Sequence, residues 1–170
     1  QEAADLLRPI YAKTKKRDGY VSLAVSPHLA RDTRRTLEEA RRLWRAVGRQ
    51  NAMIKVPATQ EGIPAIEELI SEGINVHVTL VFGREIYERV GNAYIAGLQR
   101  FSAGGGDPSG VASVASFFIS WIDTAIDGII AERLKTSASA SDHVLLRGLV
   151  GKVAIANAKL TYQSYLELCS

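Results

Sequence analysis

The chain has 170 residues, 46% of them apolar and 23% charged, a balance that suits a globular domain with a substantial core and excludes an intrinsically disordered chain. No apolar run approaches the ~18–20 residues needed to span a bilayer, and no basic segment followed by an apolar one opens the chain, so neither a transmembrane helix nor a secretory leader is expected. The formal charge of +3 invites a nucleic-acid reading, which the placement of the basic residues then opposes.

The chain begins at Gln1, without a methionine, inside a helical pattern running from Glu2 to Tyr11; a truncated, processed or partial polypeptide is expected from that. Val21–Val25 is the first short apolar run rich in branched residues, read as a strand. Leu37, Ala40, Trp44 and Val47 then recur at spacings of three and four, which predicts an amphipathic helix capped by Asp32 and stopped at Gly48. Its other positions carry Arg31, Arg34, Arg35, Arg41, Arg42 and Arg45 interleaved with Asp32, Glu38 and Glu39. Mixed signs at that spacing mark a solvated helix face, so neither a nucleic-acid nor a membrane partner is expected.

Met53–Val56 is the second predicted strand, followed by a short helix over Ala65, Ile66, Leu69 and Ile70 that ends near Gly73. Ile74–Phe82 is the third, followed by a helix with Tyr87, Val90, Tyr94 and Leu98 on one stripe. The glycine-rich Ala103–Gly110 reads as a loop leading to a fourth strand, Val114–Ile119. A helix over Ile122–Leu134, a surface loop over Thr136–Ser141 and a last helix from about Val144 to Leu168, weakened at its start by Gly148 and Gly151, complete the chain. The single cysteine, Cys169, has no internal disulfide partner, which fits a reducing, cytoplasmic setting.

Strands alternating with helices imply an α/β fold with a parallel sheet. No phosphate-cradling glycine motif is present, which disfavours a nucleotide-binding open sheet. Four strands are too few to close an eight-stranded barrel, which takes about 250 residues. One domain over residues 1–170 is expected.

Three segments carry candidate chemistry. In Met53-Ile54-Lys55-Val56-Pro57 a lysine interrupts an apolar strand. An unpaired ammonium is costly to bury, and desolvation favours the neutral amine, the form that attacks a ketone to make an imine. Pro57 ends the strand, so Lys55 sits near the C-terminal end where parallel barrels hold their sites. Two readings stay open: that amine, or a strand-end ammonium reaching solvent or a carboxylate. In the second segment, alternation puts Asn75, His77 and Thr79 on one strand face, as a substrate pocket or a satisfied polar layer. In the third, Ser116, Phe118 and Ser120 share one parity on a buried strand; no G-x-S-x-G elbow accompanies them. His28 and His143 are not at metal-ligand spacing, and no metal is expected.

Taken together, these segments resemble the bacterial transaldolases, whose blocks IKVPAT, GI-N-V-N-V-T-L and SVASFF-S-R-x-D-T correspond to Ile54–Thr59, Gly73–Leu80 and Ser113–Thr124. Asp18-Gly19-Tyr20-Val21-Ser22 and the helix from Gly151 to Leu160 agree as well. The resemblance covers essentially the whole chain and implies the central part of a (β/α)₈ TIM barrel of transaldolase type, of which about four strands are supplied and the outer ones are not. It implies a transferase of carbohydrate metabolism (the pentose phosphate pathway) that moves a dihydroxyacetone unit between sugar phosphates without metal or organic cofactor. Lys55 would form the Schiff base, and Asn75, Thr79, Ser116 and Phe118 would line the substrate pocket.

Three positions depart from the pattern. Ala24 stands where the family has an acid/base glutamate in V-S-L-E-V, His77 where it has asparagine, and Trp121 where it has a phosphate-binding arginine. An indole offers one neutral donor in place of a bidentate guanidinium, so weaker binding of phosphorylated sugars is expected. His77 is a candidate replacement acid/base group, because imidazole titrates near neutrality. The alternative is a catalytically impaired homologue retained for binding or structure. A four-stranded part of a barrel also leaves sheet edges and apolar surface to cover, so a homo-oligomer is expected if the chain is complete.

Overall fold

The computed structural model describes residues 1–137 and 139–168; Cys169 therefore lies outside the described residues. The elements in chain order are α1 (Glu2–Lys13), β1 (Val21–Ala24), α2 (Thr33–Val47), β2 (Ala52–Pro57), α3 (Gly62–Ser71), β3 (Val76–Val81), α4 (Arg84–Ala103), β4 (Ser113–Phe117), α5 (Ser120–Thr136), α6 (Ala140–Leu149) and α7 (Val153–Leu168). Short 3₁₀ turns occupy Pro27–Leu29 and Pro108–Gly110. The four strands form one sheet in sequence order, with β1–β2 and β2–β3 parallel. This is the α/β repeat expected of a partial barrel of transaldolase type. Among the described residues no helix is long and apolar enough to cross a bilayer.

The structure has two compact units, one comprising Gln1–Val81 with Arg89–Ser116 and the other Phe82–Glu88 with the described residues from Phe117 to Leu168.

In the first unit the centre of the sheet's helix-facing side is dry. Ile54, Val56, Val76 and Val78 are buried there with Ile66, Leu69 and Ile70 of α3, each such side chain contributing about 1.5–3 kcal/mol by leaving water. Local signals place the covering helices. Asp32 caps α2 by accepting from the Arg35 N–H at 2.9 Å. Gly48 ends α2 in the left-handed region, at φ 58°. Thr59 Oγ1 accepts the Gly62 N–H at 2.9 Å and donates to Ala30 O at 2.6 Å, fastening the start of α3 to the loop after β1. Surface charges tie the helices together, Arg41 of α2 pairing with Glu68 and Glu72 of α3, and Arg100 of α4 with Glu67 and Glu68.

In the second unit α5 packs against both α6 and α7. The predicted last helix, Val144–Leu168, is two helices: α6 stops at Leu149, and α7 starts at Val153 after Gly151, whose φ of 67° no right-handed helix accepts. The Gly151 N–H donates to the Asp127 carboxylate at 3.1 and 3.2 Å, which holds the break. The expected loop over Thr136–Ser141 is shorter than its composition suggested: Thr136 ends α5, and Ser139 already caps α6 by accepting from the Asp142 N–H at 3.3 Å.

Candidate active site

The register of the first three strands sets side chains in rows. Ala24 of β1 lies opposite Lys55 of β2, and Lys55 opposite His77 of β3. Because side chains alternate along a strand, the face of that row is opposite the one carrying Ile54, Val56, Val76 and Val78. Ser22, one step back on β1, lies opposite Met53, and Thr79, one step on along β3, opposite Pro57. His77 and Thr79, two of the three polar residues that alternation groups on one face of β3, thus sit in the rows of Lys55 and Pro57.

Lys55 is the one residue of β2 that is not fully buried. Among the described residues no carboxylate forms an ion pair with it. The carboxylate-paired form of the alternative reading is therefore not the arrangement seen. Ala24, the neighbour in its row on β1, ends in a methyl group, and His77, the neighbour on β3, brings an imidazole.

His77 is the best connected of these side chains. Its Nδ1 lies 2.7 Å from Ser22 Oγ, a bond that passes over β2 to reach β1, and its Nε2 lies 2.6 Å from Ser116 Oγ on β4. Burial, and secondarily the nearby positive charge of Lys55, hold the imidazole below its ordinary value of 6.5. A ring that resists protonation keeps one lone pair and one N–H across neutral pH, and so can accept and donate at once. Sequence reasoning singled out Ser116 and missed Ser22. Its parity with Ala24 was readable, but the reach of an imidazole across an intervening strand was not.

Asn75, expected as a pocket-lining residue, is bonded to the backbone of neighbouring segments. It is 3% exposed, its amide donates to Gln50 O at 2.8 Å and Ala52 O at 3.0 Å, and its Oδ1 accepts the Ala112 N–H at 2.8 Å. Those bonds stitch β2, β3 and the segment before β4 at the end of the sheet away from Pro57. Asn51 works similarly, donating to Ala4 O and Gly19 O. Asn51 and Asn75 stand just before β2 and β3 begin, and both side chains bond to backbone atoms, which accounts for a buried amide beside each apolar strand. Replacing Asn75 by alanine should strip partners from two carbonyls and one N–H and destabilise the chain by about 2–4 kcal/mol, read as a lowered urea midpoint.

Phe118 and Trp121 belong to the second unit, where they form an aromatic cluster with Phe82. Phe118 lies 5.3 Å from both Phe82 and Trp121 between ring centroids, and Trp121 6.1 Å from Phe82. Trp121 is 61% exposed, so an indole stands at the surface of this unit where a guanidinium was expected from the resemblance. Among the described residues no group of three or more His, Cys, Asp or Glu is placed to hold a metal.

Comparison with known proteins bears on this arrangement. The family model described as Transaldolase/Fructose-6-phosphate aldolase matches residues 1–169. The chain is similar to proteins named transaldolase from Trichodesmium erythraeum, at 49% identity over 99% of the chain and 44% of the relative, and from Thermobifida fusca, at 51% identity over the same shares. A protein named transaldolase 2 from a Nostoc species is 49% identical, again over 99% of the chain and 44% of its own length. The chain thus spans less than half the length of these curated relatives.

Proposed function

The chain belongs to the transaldolase/fructose-6-phosphate aldolase family, and from that premise we propose that it carries the imine-forming portion of a transferase that moves a dihydroxyacetone unit between sugars or sugar phosphates. The observation that supports this most is the row Ala24–Lys55–His77: an amine without a carboxylate partner among the described residues, beside an imidazole held neutral.

In this reading the Lys55 amine gives up its proton and its nitrogen attacks the ketone carbon of the donor. Loss of water from the resulting carbinolamine gives the iminium. Removal of the proton from the hydroxyl on the carbon β to the iminium then breaks the bond between the α and β carbons, and that electron pair flows toward the nitrogen to give the enamine. Addition of the enamine to an acceptor aldehyde runs the same steps backwards. A base must sit close enough to take and return protons, and alanine at position 24 supplies none. His77 is the titratable side chain beside Lys55 in the row, and we assign it that work. Trp121 in place of a guanidinium supports a preference for donors with weakly bound or absent phosphate.

A second reading, a family member that binds sugar without turning it over, is favoured by Ala24, whose methyl group cannot move a proton. Incubating the chain with fructose 6-phosphate or dihydroxyacetone and then borohydride separates the two. A covalent adduct in the intact mass is expected; its absence at saturating donor favours the second reading.

A further inference from the structure

We propose that Ser22, His77 and Ser116 form a proton relay across the sheet, in which Ser116 exchanges a proton with the substrate and Ser22 exchanges one with solvent. The inference rests on the imine reading of Lys55 and adds to it a route for the proton and a residue, Ser22, that neither the resemblance nor the sequence singled out.

His143 gives the contrast: its Nε2 lies 2.9 Å from the Ser137 carbonyl, which can only accept, so that nitrogen must carry the proton. His77 meets a hydroxyl at each nitrogen, 2.7 Å at Nδ1 and 2.6 Å at Nε2, and a hydroxyl both donates and accepts. With a neutral ring, one serine must donate to the bare nitrogen while the other accepts from the N–H. Both arrangements satisfy every group, so the two tautomers interchange by passing one proton along the chain. The groups facing the ring leave this freedom intact. β1 presents Ser22 and Ala24, β2 presents Lys55, and β4 presents Ser116; the one charged group among them is cationic and disfavours the imidazolium, in which the lone pair is lost. Ser22 is exposed to solvent and Ser116 partly buried, which gives the wire a wet end and a sheltered one.

The step balances. As the carbon–carbon bond of the iminium breaks, the substrate hydroxyl passes its proton to Ser116 Oγ, and Ser116 passes its own to Nε2. Nδ1 releases its proton to Ser22 Oγ, which passes its own to water. The oxygen's O–H pair becomes the second bond of the new aldehyde carbonyl, and the broken carbon–carbon pair ends on the enamine. The ring is left as the opposite tautomer. Addition to the acceptor then needs one proton returned to an alkoxide, and the same wire running in reverse supplies it and resets the ring.

The test uses the whole chain, ¹⁵N-labelled at histidine, with Ser22→Ala and Ser22→Thr variants. The parent ring should show a mixture of neutral tautomers by ¹⁵N shift, Ser22→Ala should drive it towards one, and Ser22→Thr should restore the mixture. In borohydride trapping with fructose 6-phosphate, the parent should accumulate the three-carbon adduct. Ser22→Ala should cleave the donor at least about tenfold more slowly and accumulate the six-carbon adduct instead, with Ser22→Thr close to the parent. Unaltered ¹⁵N shifts together with an unaltered ratio of adducts in Ser22→Ala would overturn the relay while leaving Lys55 as the imine former. A parent chain that gives no adduct counts against the imine reading; the ring shifts then still decide for or against the relay.

Discussion

Lys55→Met is expected to abolish adduct formation and to lower transfer by on the order of 10⁴-fold or more, the scale on which enzymes lose rate when a covalent group is removed. Methionine keeps the unbranched stem that lies between Met53 and Pro57 on the polar face of β2, and so preserves packing. What is lost is the nitrogen, for which no neighbouring group substitutes: His77 can move protons but sits one strand away, and Ala24 has no functional atom. The melting temperature should be unchanged or slightly raised, since a partly buried cation with no carboxylate partner among the described residues is removed. Loss of activity accompanied by a large drop in melting temperature would point to a structural lysine instead. Turnover and thermal denaturation on the same preparation distinguish these outcomes.

Gly62→Ala is expected to destabilise the chain by about 2–4 kcal/mol, more than a change of one methyl group ordinarily costs. A Cβ at this position would overlap the carbonyl oxygen of Pro57 and come within 2.9 Å of Thr59 Oγ1. Neither neighbour can yield cheaply. Pro57 is the last residue of β2, in register with Thr79, and its ring fixes the backbone. Thr59 is committed to Ala30 O and to the Gly62 N–H. The start of α3 must therefore move, and with it the buried Ile63, Ala65, Ile66, Leu69 and Ile70. Lys55 lies two residues before Pro57, so the surviving folded fraction should also show a reduced rate of imine formation. A urea midpoint equal to that of the parent would contradict this account of the β2–α3 turn.

The Ile54–Thr59 block thus joins two physical roles. Lys55 is the reactive group of the reading, whereas Pro57 and Thr59 build the corner that presents it. The sequence showed the first role as an anomaly, a cation in an apolar strand. It did not show the second, because the partners of Thr59 and Gly62 are backbone atoms supplied by other segments.

Strand and helix order was legible because the relevant signals are local. Short branched runs, the stripe at Leu37, Ala40, Trp44 and Val47, and the Asp32 and Gly48 caps all recur in the structure. The break at Gly151 is not legible in the sequence, because a glycine in a helical pattern weakens or ends a helix according to its φ, which composition does not reveal. The sequence places Asn75 in a polar row, and the structure shows what its amide bonds to. Alternation gives a direction, while the demand of Gln50 O, Ala52 O and the Ala112 N–H for partners arises only once three chain segments meet. His77 shows the converse. Its parity was readable and the sheet order sets Ser116 on the neighbouring strand, whereas the bond to Ser22 depends on the ring reaching across β2.

The lowered proton affinity of His77 also fixes the sign of the pH dependence. A base held below the ordinary imidazole value stays unprotonated further into acid, so activity should persist below about pH 6.5 and fall only as the ring protonates. His77→Asn should remove that limb and slow turnover, and an unchanged profile would exclude the imidazole from the reaction.

The most direct measurement is digestion of the borohydride-reduced chain after incubation with dihydroxyacetone, followed by mass mapping of the peptide that contains residues 54–59. A three-carbon modification on Lys55, lost in Lys55→Met, is the predicted result. An unmodified peptide, or modification spread over exposed lysines such as Lys13 and Lys135, would contradict the assignment of Lys55 as the reactive amine.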